Sequence, residues 1–145
     1  MSILNPVTRL PLLRPVPIFR GLSKGALLAV ARQSTEVTYP PDAVVMREGD
    51  PGNSLCIIVE GTVEVSKGDR VVAELTAGDF FGELSLIDGE PRSADVVAVD
   101  DISLLTLTAA NFDPLLSDPY FARAILRSLA QRFRGVLDAT AEVNA

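Results

Sequence analysis

Phe80-Phe81-Gly82-Glu83-Leu84-Ser85-Leu86-Ile87-Asp88-Gly89-Glu90-Pro91-Arg92-Ser93-Ala94 is the most informative run of the chain. Gly82 leads into a short apolar-periodic segment, Leu84, Leu86 and Ile87, with the spacing of one or two helical turns. Asp88-Gly89 and Pro91 end that segment and deliver Arg92. The free N–H groups of a helix start attract an anion, and a glycine lets the backbone approach it closely. Glu83 carries a carboxylate able to accept hydrogen bonds from sugar hydroxyls, and Arg92 carries a planar fork suited to phosphate. Together they describe a site for one phosphate and one ribose.

The run resembles the phosphate-binding cassette of cyclic nucleotide-binding domains. That cassette reads Phe-Gly-Glu-Leu-Ala/Ser-Leu, a variable turn, Pro-Arg, a small residue and Ala. The match extends from Phe81 to Ala94 and departs at Asp95, where the family commonly has a hydroxyl. Arg47-Glu48-Gly49-Asp50-Pro51 and Gly61-Thr62-Val63-Glu64-Val65 match earlier strand-and-turn segments of the family. The resemblance implies a mainly β fold with flanking helices: an eight-stranded jelly roll (double-stranded β-helix), an N-terminal helix and a long C-terminal helix. It implies nucleotide contacts from Gly82, Glu83, Leu84, Ser85, Arg92, Ser93 and Ala94, with Glu83 on the ribose 2′-hydroxyl and Arg92 on the phosphate. Serine at position 93 favours cAMP over cGMP, because threonine there is common in cGMP binders. The lid over the base comes from the last helix in this family, so Phe133, Val136, Leu137 and Thr140 are candidates, Thr140 for its uncharged hydroxyl.

Each assignment has a plainer alternative. Arg92 could pair with Asp88 or Glu90 at the surface, and Glu83 could simply be a first-turn acid favoured by the helix dipole. Leu84 and Leu86 read as core residues in either case, and Arg127, Arg132 and Arg134 as solvated. Asp95 would oppose a nearby phosphate, so it is expected to begin a strand and point outward.

Around the cassette, short β-branched runs alternate with turn residues. Strands are expected near 36–39, 43–46, 55–60, 62–67, 70–75, 95–99 and 102–107. Residues 62–66 alternate polar and apolar as a half-buried strand should, whereas 55–59 are almost wholly apolar and belong inside a double layer. This texture fits a jelly roll or a sandwich without choosing between them.

Residues 1–21 carry Pro6, Pro11, Pro15 and Pro17, which predict an extended arm with at best a short turn near Ile3–Leu10, packed on its own roll. The domain proper then spans 22–145, with the roll near 36–107 and C-terminal helices near 109–140. Ser23 is a good N-cap for a helix reaching about Arg32. Thr108 can cap a short helix through Leu116, and Asp118-Pro119 is a stronger start signal for a helix to about Thr140. Leu126, Leu129, Ala130, Phe133 and Leu137 fall at helical spacing along it. Roughly 20 residues make about 30 Å of helix, enough to cross the roll and extend beyond it. Gly135 costs about 1 kcal/mol there relative to alanine, which a close helix contact or a bend would explain.

Composition narrows the function. With 145 residues, 48% hydrophobic and 22% charged, the chain fits one globular domain. A net charge of −6 argues against a general nucleic-acid surface. There is no histidine, so imidazole catalysis and the metal site of a cupin are excluded, and no enzymatic function or metal is expected. One cysteine, Cys56, fits a reducing, cytoplasmic setting, and no run is apolar enough to span a membrane.

The expected function is a cyclic-nucleotide receptor module binding cAMP, with cGMP second, that signals through its last helix to an effector protein. The apolar stripe on that helix suggests a homodimer. A structural module that kept the roll and lost the ligand is the alternative. A transcription factor of the catabolite-activator type is disfavoured, since Ala145 follows the long helix without a DNA-reading segment.

Overall fold

The computed structural model describes residues 5–144, and side chains as far as residue 139. Eight strands form two antiparallel four-stranded sheets. In chain order they are β1 (Thr35–Tyr39), β2 (Val44–Met46), β3 (Ser54–Glu60), β4 (Thr62–Lys67), β5 (Arg70–Thr76), β6 (Phe80–Phe81), β7 (Asp95–Ala98) and β8 (Ile102–Thr108). One sheet has the order β1-β8-β3-β6 and the other β2-β7-β4-β5. This is the expected jelly roll. The strand absent from the sequence reading is β6, whose two residues are too few to show any periodicity.

The inner strands of the first sheet, β3 and β8, are buried on both faces, which explains their apolar sequence. On β3, Cys56 and Ile58 face the second sheet, in one cluster with its Val63 and Val96 and with Leu104 of β8. Leu55 and Ile57 face the other way, into a cluster with the helices. β8 divides likewise, Ile102 and Leu104 to one side and Leu105 and Leu107 to the other. Strands that alternate between two buried layers lose the polar half of the usual pattern.

Two helices precede the roll. α1 (Pro6–Leu13) replaces the expected extended arm. Its prolines are placed where a helix tolerates them better than their number suggests. Pro6 occupies the first helical position, where no N–H is needed. Asn5 and Thr8 close a capping box, with Thr8 N–H donating to the Asn5 side chain at 3.0 Å and Asn5 N–H to Thr8 Oγ1 at 2.9 Å. Only Pro11 lies inside. A 3-10 turn at Pro17–Phe19 follows, then α2 (Lys24–Gln33), with the Ser23 hydroxyl accepting from Ala26 N–H at 3.1 Å. Arg9 ties the two helices together. Its Nη1 donates to the carbonyls of Ala31 at 2.9 Å and Ser34 at 2.6 Å, at the end of α2.

After the roll, α4 (Ala109–Phe112) and a 3-10 turn at Asp113–Ser117 lead to α5 (Pro119–Asn144); α3 (Glu83–Asp88) lies between β6 and β7. Thr108 precedes α4 but makes no side-chain cap bond, contrary to expectation. Asp118 does cap α5, accepting from Tyr120 N–H at 2.9 Å and Phe121 N–H at 3.2 Å. Only the start of α5 is anchored in the core, through Phe121 and Ile125, with Leu129 partly buried. Leu126, Phe133 and Leu137, of the apolar stripe, are 66%, 62% and 51% exposed. A Cβ at Gly135 would meet nothing within 4 Å, so no close helix contact accounts for that glycine.

Phe121 stacks on Phe19 at 5.9 Å between ring centroids and meets Phe112 edge-on at 5.7 Å. It thereby joins α5 to the N-terminal unit. Phe121→Ala should destabilise the fold by about 3–5 kcal/mol, the usual cost of truncating a buried aromatic, measured by urea denaturation.

Candidate functional site

Arg92 is 7% exposed, not on the surface beside Asp88 or Glu90. Its Nη1 donates to the Gly82 carbonyl at 2.9 Å, and its Nη2 to the Ser54 carbonyl at 3.0 Å and Ser54 Oγ at 3.3 Å. These bonds use three of the five guanidinium N–H donors. The backbone of Arg92 is held too: its N–H donates to Asp50 O at 2.8 Å, and its carbonyl accepts from Gly49 N–H at 2.9 Å. The loop between β2 and β3 is thus stitched to the end of the cassette.

Two glycines make room for the guanidinium. A Cβ at Gly52 would lie 2.6 Å from Arg92 Nε, and one at Gly82 would lie 2.8 Å from Nη1. Gly82 also has φ +90°, a conformation that strains any side chain. It starts α3, which ends at Gly89, also left-handed, whose N–H donates to Ser85 O at 3.0 Å.

Glu83 is 2% exposed, and its Oε1 accepts a hydrogen bond from Nη1 of Arg132, far along α5. Arg132 Nη2 donates to the Phe80 carbonyl at 2.8 Å, and the guanidinium lies 4.6 Å from the centroid of the Phe80 ring. Arg132 is therefore not simply solvated; Arg127 and Arg134 are exposed, as expected. A buried carboxylate needs a cation or several donors, but nothing in the local sequence says which cation, 49 residues away, supplies it.

Of the other expected residues, Ser85 and Ala94 are buried beside Glu83 and Arg92 in sequence. Leu84 is 42% exposed and Leu86 only partly buried, so Leu84 is not core. The short helix turns its first turn to bury Glu83, which leaves Leu84 outside. Ser93 is exposed, and its carbonyl accepts from Lys67 Nζ at 3.0 Å. Asp95 begins β7, and its carboxylate accepts from Glu48 N–H at 2.7 Å, a bond that fixes it to the β2–β3 loop. Phe133 and Leu137 stand exposed on α5, and Val136 is 62% exposed. The side chain of Thr140 lies outside the described residues. Ser54, Gly52 and Arg132 are site neighbours that the sequence reading missed. Gly52 could have been noticed in Gly49-Asp50-Pro51-Gly52, where two glycines exceed what one turn requires.

Cys56 lies under the site on β3. Burial pushes its thiol up to about 11, against the opposing pull of Arg92. Among the described residues no cluster of three or more metal-ligating side chains occurs, and no helix is long and apolar enough to cross a membrane.

The two-sheet roll thus holds a buried arginine and a buried glutamate around one short helix. Residues 36–118 match the family model of the cyclic nucleotide-binding domain, and the chain belongs to that family. It is 42% identical over 125 residues to a cyclic nucleotide-gated potassium channel of Rhizobium etli, covering 86% of this chain and 35% of the channel. A cAMP-bound fragment of PfPKA-R superposes with a TM-score of 0.84 at 26% identity, over 94% of this chain and 48% of that one. The regulatory subunit of a cAMP-independent protein kinase A from Trypanosoma brucei superposes with a TM-score of 0.83 at 26% identity, over 94% and 50%. The chain thus spans about a third of the channel and half of each regulatory chain.

The thiol chemistry is directly testable. A buried Cys56 with its pKa raised to about 11 holds almost no thiolate at pH 8. Native protein should not react with Ellman's reagent, and should release one equivalent after unfolding in guanidinium.

Proposed function

We propose that the cassette is a cAMP receptor site in a non-catalytic regulatory module, with cGMP as the weaker ligand. The observation that carries this reading is the buried guanidinium of Arg92, fixed by the Gly82 and Ser54 oxygens with two N–H donors left for a cyclic phosphate. Gly82, Leu84, Ser85, Ser93 and Ala94 line the phosphate and ribose, and Glu83 accepts from the ribose hydroxyl. That one structural neighbour is cAMP-bound supports the ligand class. The fold alone does not decide it, since a cAMP-independent kinase subunit superposes equally well. A reducing, cytoplasmic setting belongs to the same reading, in keeping with one buried thiol.

Signalling runs through α5. Arg132 binds Glu83, the carboxylate that the ribose needs, so ligand and helix compete for one group. A ligand shifts a helix only by its differential affinity for the two positions. Displacing Arg132 from Glu83 and Phe80 supplies such a difference and frees the outer half of α5 to meet the base, through Phe133, Val136, Leu137 or Thr140, and an effector protein. Leu126, Phe133 and Leu137, exposed at spacings of one face, support a homodimer through the same helix.

Calorimetric titration of cAMP and cGMP tests the receptor reading. Binding of cAMP should weaken at least tenfold in Arg92→Ala, because a charge-assisted hydrogen bond contributes about 1.5–3 kcal/mol. If verified ligand-free protein binds neither nucleotide, the site is a relic and the module structural.

Competition at Glu83 gives a second, opposite expectation. Arg132→Gln should bind cAMP several-fold more tightly than the parent chain. Weaker binding would instead place Arg132 among the groups that hold the ligand.

A further inference from the structure

The charge of this chain is unevenly distributed. Residues 1–35 hold Arg9, Arg14, Arg20, Lys24 and Arg32 and no carboxylate, a net of +5. The remaining 110 residues hold the other eight cations against all 19 carboxylates, a net of −11. Two of the five N-terminal cations, Arg14 and Lys24, rim an open groove of about 510 Å³ between α1 and α2, with Val7, Leu10, Pro11 and Pro15 as its apolar lining. A second hollow of about 340 Å³ shares Arg14 and Lys24 and adds Arg20. All three cations are exposed, and Val7 is 68% exposed. The salt bridges among the described residues, Lys67–Glu48 and Arg132–Glu83, involve none of these three. Arg9, by contrast, is consumed internally by the α2 carbonyls.

The opposite feature lies at the turn between β7 and β8. Val99 is 45% exposed and is followed by exposed Asp100 and Asp101, an apolar knob flanked by two carboxylates. The turn is braced. Val99 N–H donates to Thr62 O at 2.9 Å, and Thr62 N–H donates to Asp100 Oδ1 at 2.8 Å. A Cβ on Gly61 would fall 2.5 Å from the Asp101 carbonyl, so the turn sits directly on the neighbouring backbone. A projection already rigid loses little entropy on docking.

We infer that the basic groove between α1 and α2 receives the Val99-Asp100-Asp101 turn of a second copy of this chain. Val99 enters the apolar floor, and Asp100 and Asp101 meet Arg14 and Lys24. The contact is heterologous: each pairing leaves one groove and one turn unused, so copies add head to tail as concentration rises. It is also salt-labile, since the paired charges are exposed and screened over about 10 Å at 0.1 M salt. This surface is separate from the nucleotide site and from the exposed face of α5, and it does not depend on the function assigned to either.

Sedimentation equilibrium of the full chain at 20 mM and 500 mM NaCl tests it. Weight-average mass should climb beyond the dimer with concentration at low salt, and that climb should be lost at high salt. Arg14→Glu/Lys24→Glu and Asp101→Arg should each abolish the climb, and the three changes combined in one chain should restore it. The combined variant guards against loss through misfolding, because a misfolded chain would not regain association. The proposal is overturned if the parent chain stays monomeric at low salt, if the combined variant fails to associate while retaining its native circular dichroism, or if Phe133→Ser alone removes the association.

Discussion

Burying a guanidinium is the constraint on which the site depends. Arg92 sits almost wholly out of water, where an unpaired charge would be very costly. The fold meets that demand with backbone oxygens rather than a carboxylate: Gly82 and Ser54 give their carbonyls, and Gly52 and Gly82 give the space. Because its nearest hydrogen-bond partners are neutral, the cation keeps its full charge for an anion. An aspartate in the place of Ser54 would satisfy the burial equally well and cancel that charge. The same choice draws distant pieces of chain to Arg92, the β2–β3 loop with the start of β3 on one side and the turn into α3 on the other.

Those pieces hold position because β3 is packed on both faces. Ser54 begins a strand whose next four residues alternate between the helical cluster and the inter-sheet cluster. A strand so enclosed cannot slip by one residue without exchanging both layers. The Ser54 carbonyl is therefore fixed by the core of the molecule, while Ser93, at the far end of the cassette, is held only by the exposed Lys67 ammonium and its backbone. Arg92 and its neighbour Ser93 therefore differ in their support, the first held by the core and the second at the surface.

What was legible in the sequence was what is local. The cassette, the seven longer strands, the Ser23 cap and the Asp118-Pro119 start all rest on residues within a few positions of one another, and each lies where its spacing indicated. β6 escaped because two residues carry no period. α1 escaped because prolines were counted rather than placed; Pro6 at the first position helps a helix that the Asn5–Thr8 box already closes. The partners of Arg92 and Glu83 escaped for a different reason. Hydrogen bonds to backbone carbonyls leave no trace in residue type, and the Arg132–Glu83 pair spans most of the second half of the chain. Helical spacing also left open what the apolar stripe of α5 faces. Leu126, Phe133 and Leu137 share the periodicity of core residues, but the core ends at Ile125 and Leu129, and periodicity cannot tell a buried face from one left open.

That division of α5 bears on how a binding event could travel. Its first two turns are fixed by Phe121 and Ile125 to the N-terminal helices and the outer face of the first sheet. Beyond Leu129 every side chain described is exposed, and Arg132 reaches back to the cassette at Glu83, the Phe80 carbonyl and the Phe80 ring. α5 is thus packed into the core at its start and tied to the cassette farther along through Arg132. The pair is asymmetric, with Arg132 41% exposed and Glu83 2%, so separating them without a new partner for the buried carboxylate is costly. A group that replaced Arg132 at Glu83 would have to supply that buried carboxylate with donors of its own.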